Sequence, residues 1–420
     1  MVAMLRKIVI FLKRAVGKLC RIVLFLLSIP ITLVLILIYP FFKFKFVSLV
    51  SDRVGHYAMN TELLLCYLDE IQERKRTKYI FYRRVAPICN EQLDVMWKRI
   101  IFIFPFSRLA SYIDQLMLIF LGNQYKNNEL RRFEVPEGYQ DIFSYLQNHK
   151  EHLHFRDNEI IKGKGLLLQL GILDNQKYVC LLGRDSTYLS KYLPDGSWAH
   201  HFYRDSDINN FSKAALFLAE QGYYVIRMGK SVEKSFNANH PKIIDYANHD
   251  LRSDFFDIYL SANCEFFIST ATGLDAIPQI FRRPIVLVDV APFKAQIQYW
   301  WPCEFFITKK VYDNNKKRFL SFKEIDDVIT KECDVRKVIN QYDLSIIENT
   351  AEEILAVVKE MEACLSKKKP IEDKNIFFEK LKTSRVFSMI ADRNFLKKNP
   401  EKFYIKMGKE FTEENKFLMD

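Results

Sequence analysis

In the second half of this chain, short apolar segments alternate with segments of helical periodicity, and this alternation most narrows the folds open to it. Apolar runs at 178–182, 223–227, 242–246, 265–269 and 284–288 read as strands, with helices at 208–221 and 253–262. Successive βα units build a mostly parallel, doubly wound sheet, and such sheets hold ligands beyond the carboxyl ends of their strands. The first half follows the same pattern less regularly. Strands are predicted at 46–50, 78–82 and 100–104, helices at 58–73, 91–98 and 108–121, and a solvated loop over the polar stretch 122–132. The fold class is therefore α/β with two Rossmann-like domains. The 420 residues suffice for both, and 35 Phe and 21 Tyr imply large cores.

An apolar, uncharged run from 22 to 42 precedes these units, interrupted only by Ser28, Pro30, Thr32 and Pro40. It is long enough for a helix to cross a hydrocarbon layer of about 30 Å. Before it, Arg6, Lys7, Lys13, Arg14, Lys18 and Arg21 recur at spacings that gather most of them on one helical face. A basic amphipathic helix of this kind favours an anionic membrane surface. Lys43, Lys45 and Arg53 follow the run closely, so charge flanks both of its ends. A re-entrant hairpin kinked at Pro30, with both ends cytoplasmic, fits that distribution, and a single crossing is the other geometry open to it. The hairpin places the protein at the cytoplasmic face of a bacterial inner membrane. The formal net charge of +11 is thus assigned to lipid and phosphorylated substrate; nucleic acid is not expected, because the basic residues cluster beside lipid-seeking sequence. Eight cysteines lie far apart with no Cys-x-x-Cys pair, which points to a reducing compartment and away from a zinc knuckle.

The expected organisation is a membrane segment over 1–45, an acceptor-side α/β domain over 46–170, a nucleotide-binding Rossmann-like domain over 171–365, and a basic helical tail over 366–420. Aromatic residues at Phe377, Phe378, Phe387 and Phe395 suit a tail that packs back as helices.

The most informative stretch for chemistry runs from Cys264 to Pro278. An apolar strand there leads into Ser269, Thr270, Thr272 and Gly273 and then into a helix. Helix N-termini carry unpartnered N–H groups and a partial positive charge, so a diphosphate is a natural guest; simple capping by the hydroxyls is the alternative. Strand 178–182 ends in Gly183-Arg184-Asp185, and strand 223–227 ends in Arg227-Met228-Gly229-Lys230. Arg184, Arg227 and Lys230 are candidates to bind phosphate, since a guanidinium donates two parallel hydrogen bonds to phosphate oxygens. Asp205-Ser206-Asp207 has the spacing of a metal-holding Asp-x-Asp, but it stands directly before a helix, so Asp207 reads as an N-cap and no obligatory metal or cofactor is expected. His56, Asp185 and Asp205 are the candidate bases for removing a proton from an acceptor hydroxyl. His200 and His201 sit at no metal-ligand spacing. The absence of Gly-x-x-x-x-Gly-Lys-Ser/Thr, Gly-x-Gly-x-x-Gly and Gly-x-Ser-x-Gly leaves kinase-type ATPase, dehydrogenase and esterase readings without local support.

The segments 203–207, 222–229, 252–257, 266–270 and 283–289 together resemble a family of bacterial glycosyltransferases associated with surface polysaccharide assembly. Arg53-Val54-Gly55-His56 is similar to that family's N-terminal pattern. The resemblance implies a GT-B arrangement, with a nucleotide-diphosphate sugar as donor substrate in the C-terminal domain and a glycan, expected to be lipid-linked, as acceptor. The arrangement also looks like that of fucosyltransferases, in which an Arg after the first strand of the second domain meets the donor phosphates, and Arg184 stands at that place. A membrane-associated scaffold that kept the fold without catalysis is the alternative.

Overall fold

The computed structural model describes residues 2–71, 77–139, 141, 143–185, 187, 191, 203–236, 238–291, 303–329, 335–367 and 406–419, with side chains from Ala15 onward. The basic side chains before Ala15, the pair His200 and His201, and the aromatic residues of the tail at 377–395 lie outside that description. The chain divides into two compact units, Met1–Tyr139 and Gln140–Asp420.

The first unit opens with α1 (Val2–Ile38), one unbroken helix with Pro30 inside it. The expected hairpin at Pro30 is therefore not formed. A proline removes one helical hydrogen bond, and hydroxyls on either side of it engage nearby carbonyls: Ser28 Oγ donates to the Phe25 carbonyl at 2.6 Å and Thr32 Oγ1 to the Ser28 carbonyl at 2.7 Å. There follow β1 (Lys43–Leu49), α2 (Val54–Glu70), β2 (Thr77–Arg83), α3 (Glu91–Trp97), β3 (Ile103–Phe104) and α4 (Ser107–Leu121). The three strands form a parallel sheet in the order β1-β2-β3. Asn90 starts α3 by accepting the Leu93 N–H at 2.9 Å.

The stretch 122–132 is not a solvated loop. It folds into short helical turns at Gly122–Gln124 and Asn128–Arg132 and buries Tyr125 and Lys126. Lys126 Nζ lies 2.7 Å from both Asp114 Oδ2 and Glu134 Oε1, and Asp114 also accepts hydrogen bonds from the Tyr82 and Tyr125 hydroxyls. Polar residues that satisfy one another in the interior look like loop in a hydropathy pattern, and that is why the segment misled.

The second unit holds a seven-stranded sheet in which every neighbouring pair is parallel: β4 (Tyr178–Leu182), β5 (Tyr224–Arg227), β6 (Ile243–Ile244), β7 (Phe267–Ser269), β8 (Ile285–Val290), β9 (Cys303–Thr308) and β13 (Lys406–Met407). Its spatial order is β13-β9-β8-β7-β4-β5-β6. Counted along the chain from β4, the first six strands stand in the doubly wound order 3-2-1-4-5-6, so the winding reverses between β4 and β7. The central strands are apolar on both faces, with Val179, Cys180, Leu181, Ile226, Phe267, Ile268 and Val286 fully buried. Beside this sheet, β10 (Lys310–Asp313) pairs antiparallel with β11 (Arg318–Phe319) and β12 (Leu344–Ile347). The end of the tail supplies β13 as a sheet strand before a short helix at Lys409–Glu414, an element that helical spacing did not suggest.

Candidate active site

Open parallel sheets form a crevice where the winding reverses, because the helices after the two central strands leave on opposite faces. Here that point lies beyond Leu182 of β4 and Ser269 of β7, which are register partners. Gly183 follows β4. A Cβ on it would lie 3.1 Å from Ile208 Cδ1, so its lack of a side chain lets the strand end approach the turn that starts at Ile208. Next, the Arg184 N–H donates to Thr270 Oγ1 at 3.0 Å, joining the two loops across the reversal.

The Arg184 side chain is nearly buried, and its Nη1 lies 2.6 Å from Asp205 Oδ1. Arg204 stands close enough to oppose it: burial first and the Arg204 charge second push the Arg184 guanidinium down to about 10. Arg204 Nη2 donates to the Ala271 carbonyl at 2.6 Å. Lys309, just past β9, is buried, donates to the Asp205 carbonyl and lies 3.8 Å from Glu348. Like charges so near one another favour an anion beside them, and Asp205 supplies one to Arg184. Burial raises the Asp205 carboxyl above the usual carboxylate range, and Arg184 and Lys309 offset part of that rise.

The loop after β7 is built by an internal carboxylate. Asp275 is fully buried and its Oδ2 accepts from Ser269 Oγ at 2.8 Å and from the Thr272 N–H at 2.7 Å. Burial pushes its carboxyl up to about 7, against the pull of those two hydrogen bonds. Ala271 has φ 56, the left-handed region that a non-glycine residue occupies at a cost of about 1–2 kcal/mol, and its carbonyl is the one that Arg204 holds. Ser269 and Thr270 thus direct their hydroxyls into the protein, to Asp275 and Arg184, while Thr272 is half-buried and Gly273 exposed.

The remaining candidates have internal partners. Arg227 is 1% exposed; Nη1 lies 2.9 Å from Asp245 Oδ1 and Nη2 donates to the Lys234 carbonyl at 3.2 Å. Arg184 and Arg227 therefore pair with different carboxylates, and Arg227 ties the loop after β5 to Asp245, which also accepts the Phe236 N–H. Lys230 lies 3.3 Å from Asp254. Asp185 accepts the Thr187 and Glu233 N–H groups, each at 3.0 Å, and so pins the loops after β4 and β5. Asp207 accepts the Asn209 N–H at 3.0 Å and caps the helical turn at Ile208–Phe211.

His56 belongs to the first unit, in the first turn of α2 beyond the carboxyl end of β1. Burial, reinforced by Arg53, pulls its imidazole down to about 4, so it is neutral at physiological pH. A neutral imidazole can accept a proton, but a low pKa makes it a weak base. Asp52, absent from the sequence candidates, stands beside it, with Oδ1 3.7 Å from Arg84 Nη1 and Oδ2 3.9 Å from Arg53 Nε. Lys309 was missed because β9, the strand it follows, is not marked by a plain apolar run in the sequence. Arg204 did lie inside a segment singled out by its carboxylates.

No family model matches the sequence, and no curated protein matches it. The chain is similar to several solved bacterial glycosyltransferases. One is a glycosyl transferase family 9 protein from Veillonella parvula DSM 2008, at TM-score 0.38 and 9% identity over 86% of this chain and 97% of that one. Another is the ADP-heptose LPS heptosyltransferase II of E. coli, at TM-score 0.38 and 12% identity over 78% of this chain and 100% of that one. A third is the dodecameric iron-containing glycosyltransferase TibC of enterotoxigenic E. coli H10407, at TM-score 0.32 and 12% identity over 60% of each chain.

Proposed function

We propose that the chain is a glycosyltransferase of GT-B arrangement that transfers a sugar from a nucleotide-diphosphate donor to a glycan acceptor in bacterial surface polysaccharide synthesis. The observation that carries this reading is the gathering of Arg184, Arg204 and Lys309 around Asp205 at the winding reversal, where the Arg184 N–H is fixed on Thr270 Oγ1. A diphosphate bound there would screen two opposed guanidiniums from each other, and as the sugar leaves it would gather charge that the same groups stabilise. Lys309 and the exposed start of the helical turn at Gly273 would complete the donor side. Arg227, Asp185 and Asp275 would act as positioning residues that shape the surrounding loops. Asp205 and His56 remain the proposed proton acceptors, with the acceptor glycan, lipid-linked in the fullest form of this proposal, presented by the first unit. No metal is required by this scheme.

The test is nucleotide binding by the full chain in detergent. UDP, GDP, CDP, ADP and their sugars are titrated while the melting temperature is followed. Selective stabilisation by one nucleotide, lost in Arg184→Ala and in Arg204→Ala, supports the donor site. A folded chain that binds none of them overturns it.

A second reading is a nucleotide-binding scaffold without catalysis. It is favoured by the engagement of both carboxylate candidates, Asp185 by two backbone N–H groups and Asp205 by Arg184. Nucleotide binding with no turnover of any donor, in the presence of lipid-linked glycan extracts, would select it.

A further inference from the structure

Residues Ala15–Ile38 of α1 form a strongly apolar stretch that is mostly uncovered by protein. One side of its later half is covered by α4. Phe25 meets Tyr112 edge-on at 5.5 Å, and further along Tyr39 packs on Tyr125 at 6.3 Å while its hydroxyl donates to the Gln124 carbonyl at 3.0 Å. The two contacts rise together in both segments, so α1 and α4 run side by side in the same direction. Ser28 and Thr32 lie buried on α1, between these contacts.

Lipid that covers the open side of α1 along this length therefore reaches α4. The inner face of α4 places Ala110, Ile113 and Met117 in the core and holds Asp114 among Lys126, Tyr82 and Tyr125. Its outer face should be polar if it met water. Instead Leu116, Ile119 and Phe120 continue from Tyr112, at the α1 contact, at helical spacing, and Ile119 and Phe120 are 74% and 61% exposed. Beside this stripe, the exposed Gln115 donates to Ser111 Oγ at 3.3 Å. Leu37, Phe41 and Phe42 are exposed near the same end, where Tyr39 fastens α1 to the segment that follows α4. An exposed apolar patch continuous with a bare apolar helix calls for hydrocarbon.

We propose that the outer stripe of α4 is a lipid-contacting surface continuous with α1, so that the first unit itself, and not only the N-terminal helix, is seated in the bilayer. The occupant is the acyl region of a phospholipid membrane. The inference rests on α1 being a membrane helix, and it goes beyond the proposed transferase activity, on which it does not depend.

The experiment places the full chain, as wild type and as Phe120→Trp, in vesicles of phosphatidylethanolamine and phosphatidylglycerol at 3:1, with and without brominated acyl chains. The expected result is an added, blue-shifted tryptophan emission that brominated lipid quenches at least twofold relative to wild type. Added emission at the wavelength of water-exposed tryptophan, unquenched although the chain floats with the vesicles, overturns the proposal and leaves α1 as the anchor. A folded chain that does not float with vesicles at all removes the membrane reading of α1 and the proposal with it. Neither result bears on nucleotide binding.

Discussion

The Arg184 amide and the Thr270 hydroxyl meet at 3.0 Å across the point where the large sheet reverses its winding. One hydrogen bond thus fixes the distance between the two loops that would flank a donor diphosphate. Thr270→Val keeps the shape and removes the acceptor, leaving a part-buried N–H unpaired at a cost of about 1–3 kcal/mol. Nucleotide affinity is expected to fall roughly tenfold, a change of about 1.4 kcal/mol, with the fold retained. Calorimetric titration beside a thermal melt checks both halves of this outcome.

Arg227 is expected to act on stability before binding. Arg227→Ala leaves Asp245 without its buried counter-ion, and breaking such a pair typically costs about 3–5 kcal/mol. The urea midpoint should drop markedly. A variant with an unchanged midpoint and weakened nucleotide binding would instead return Arg227 to the role of phosphate ligand.

His56 gives the first unit a dependence on acidity. Its folded pKa of about 4 lies below the ordinary value of 6.5, so the unfolded chain binds the proton more tightly. The stability it contributes is present above pH 6.5 and is lost as pH falls towards 4. His56→Gln should flatten that part of the pH–stability profile, measured by denaturant unfolding from pH 4 to 8.

Asp275 has the opposite sign. Its folded pKa of about 7 exceeds the ordinary 3.8, so the folded state holds the proton more tightly and stability falls as pH rises from about 4 to about 7. Asp275→Asn should remove this slope in the second unit. It should also loosen the Ser269–Thr272 turn, because one carboxylate oxygen serves both groups. Hydrogen exchange at the Thr272 amide reports the loosening.

Strands were legible where both faces are apolar. Val179 to Leu181 and Phe267 to Ile268 are buried in the middle of the sheet, and such strands read as continuous apolar runs. By contrast β13 comprises two residues, and β10 carries Lys310 and Asp313, whose charges are satisfied by Glu353 and by the turn that follows. Polarity of that kind hides a strand. At the site, Arg184 and Thr270 stood out because each lies within two residues of the end of an apolar strand. Whether a guanidinium faces a ligand or an internal carboxylate depends on partners far along the chain: Asp245 for Arg227, Asp205 for Arg184. Spacing cannot distinguish these. Pro30 illustrates the same limit, since local chemistry disfavours helix there while the hydroxyls of Ser28 and Thr32 bond to carbonyls beside it.

The pairing of Lys406 and Met407 with Phe305 and Phe306 does more than add a strand. Without it β9 would be an open edge, with unpaired backbone groups beside apolar side chains, and such edges recruit strands from other molecules. The Gly408 amide extends the cover to the Phe306 carbonyl at 3.1 Å, and Glu360 accepts the Lys409 and Glu410 amides at 3.0 and 3.2 Å. Residues 406–410 thereby cover an edge that would otherwise be open to pairing with another molecule. Cutting the chain after Lys367 would leave the proposed donor site's residues in place, yet it should raise the fraction that aggregates, read by light scattering of the two forms in the same detergent.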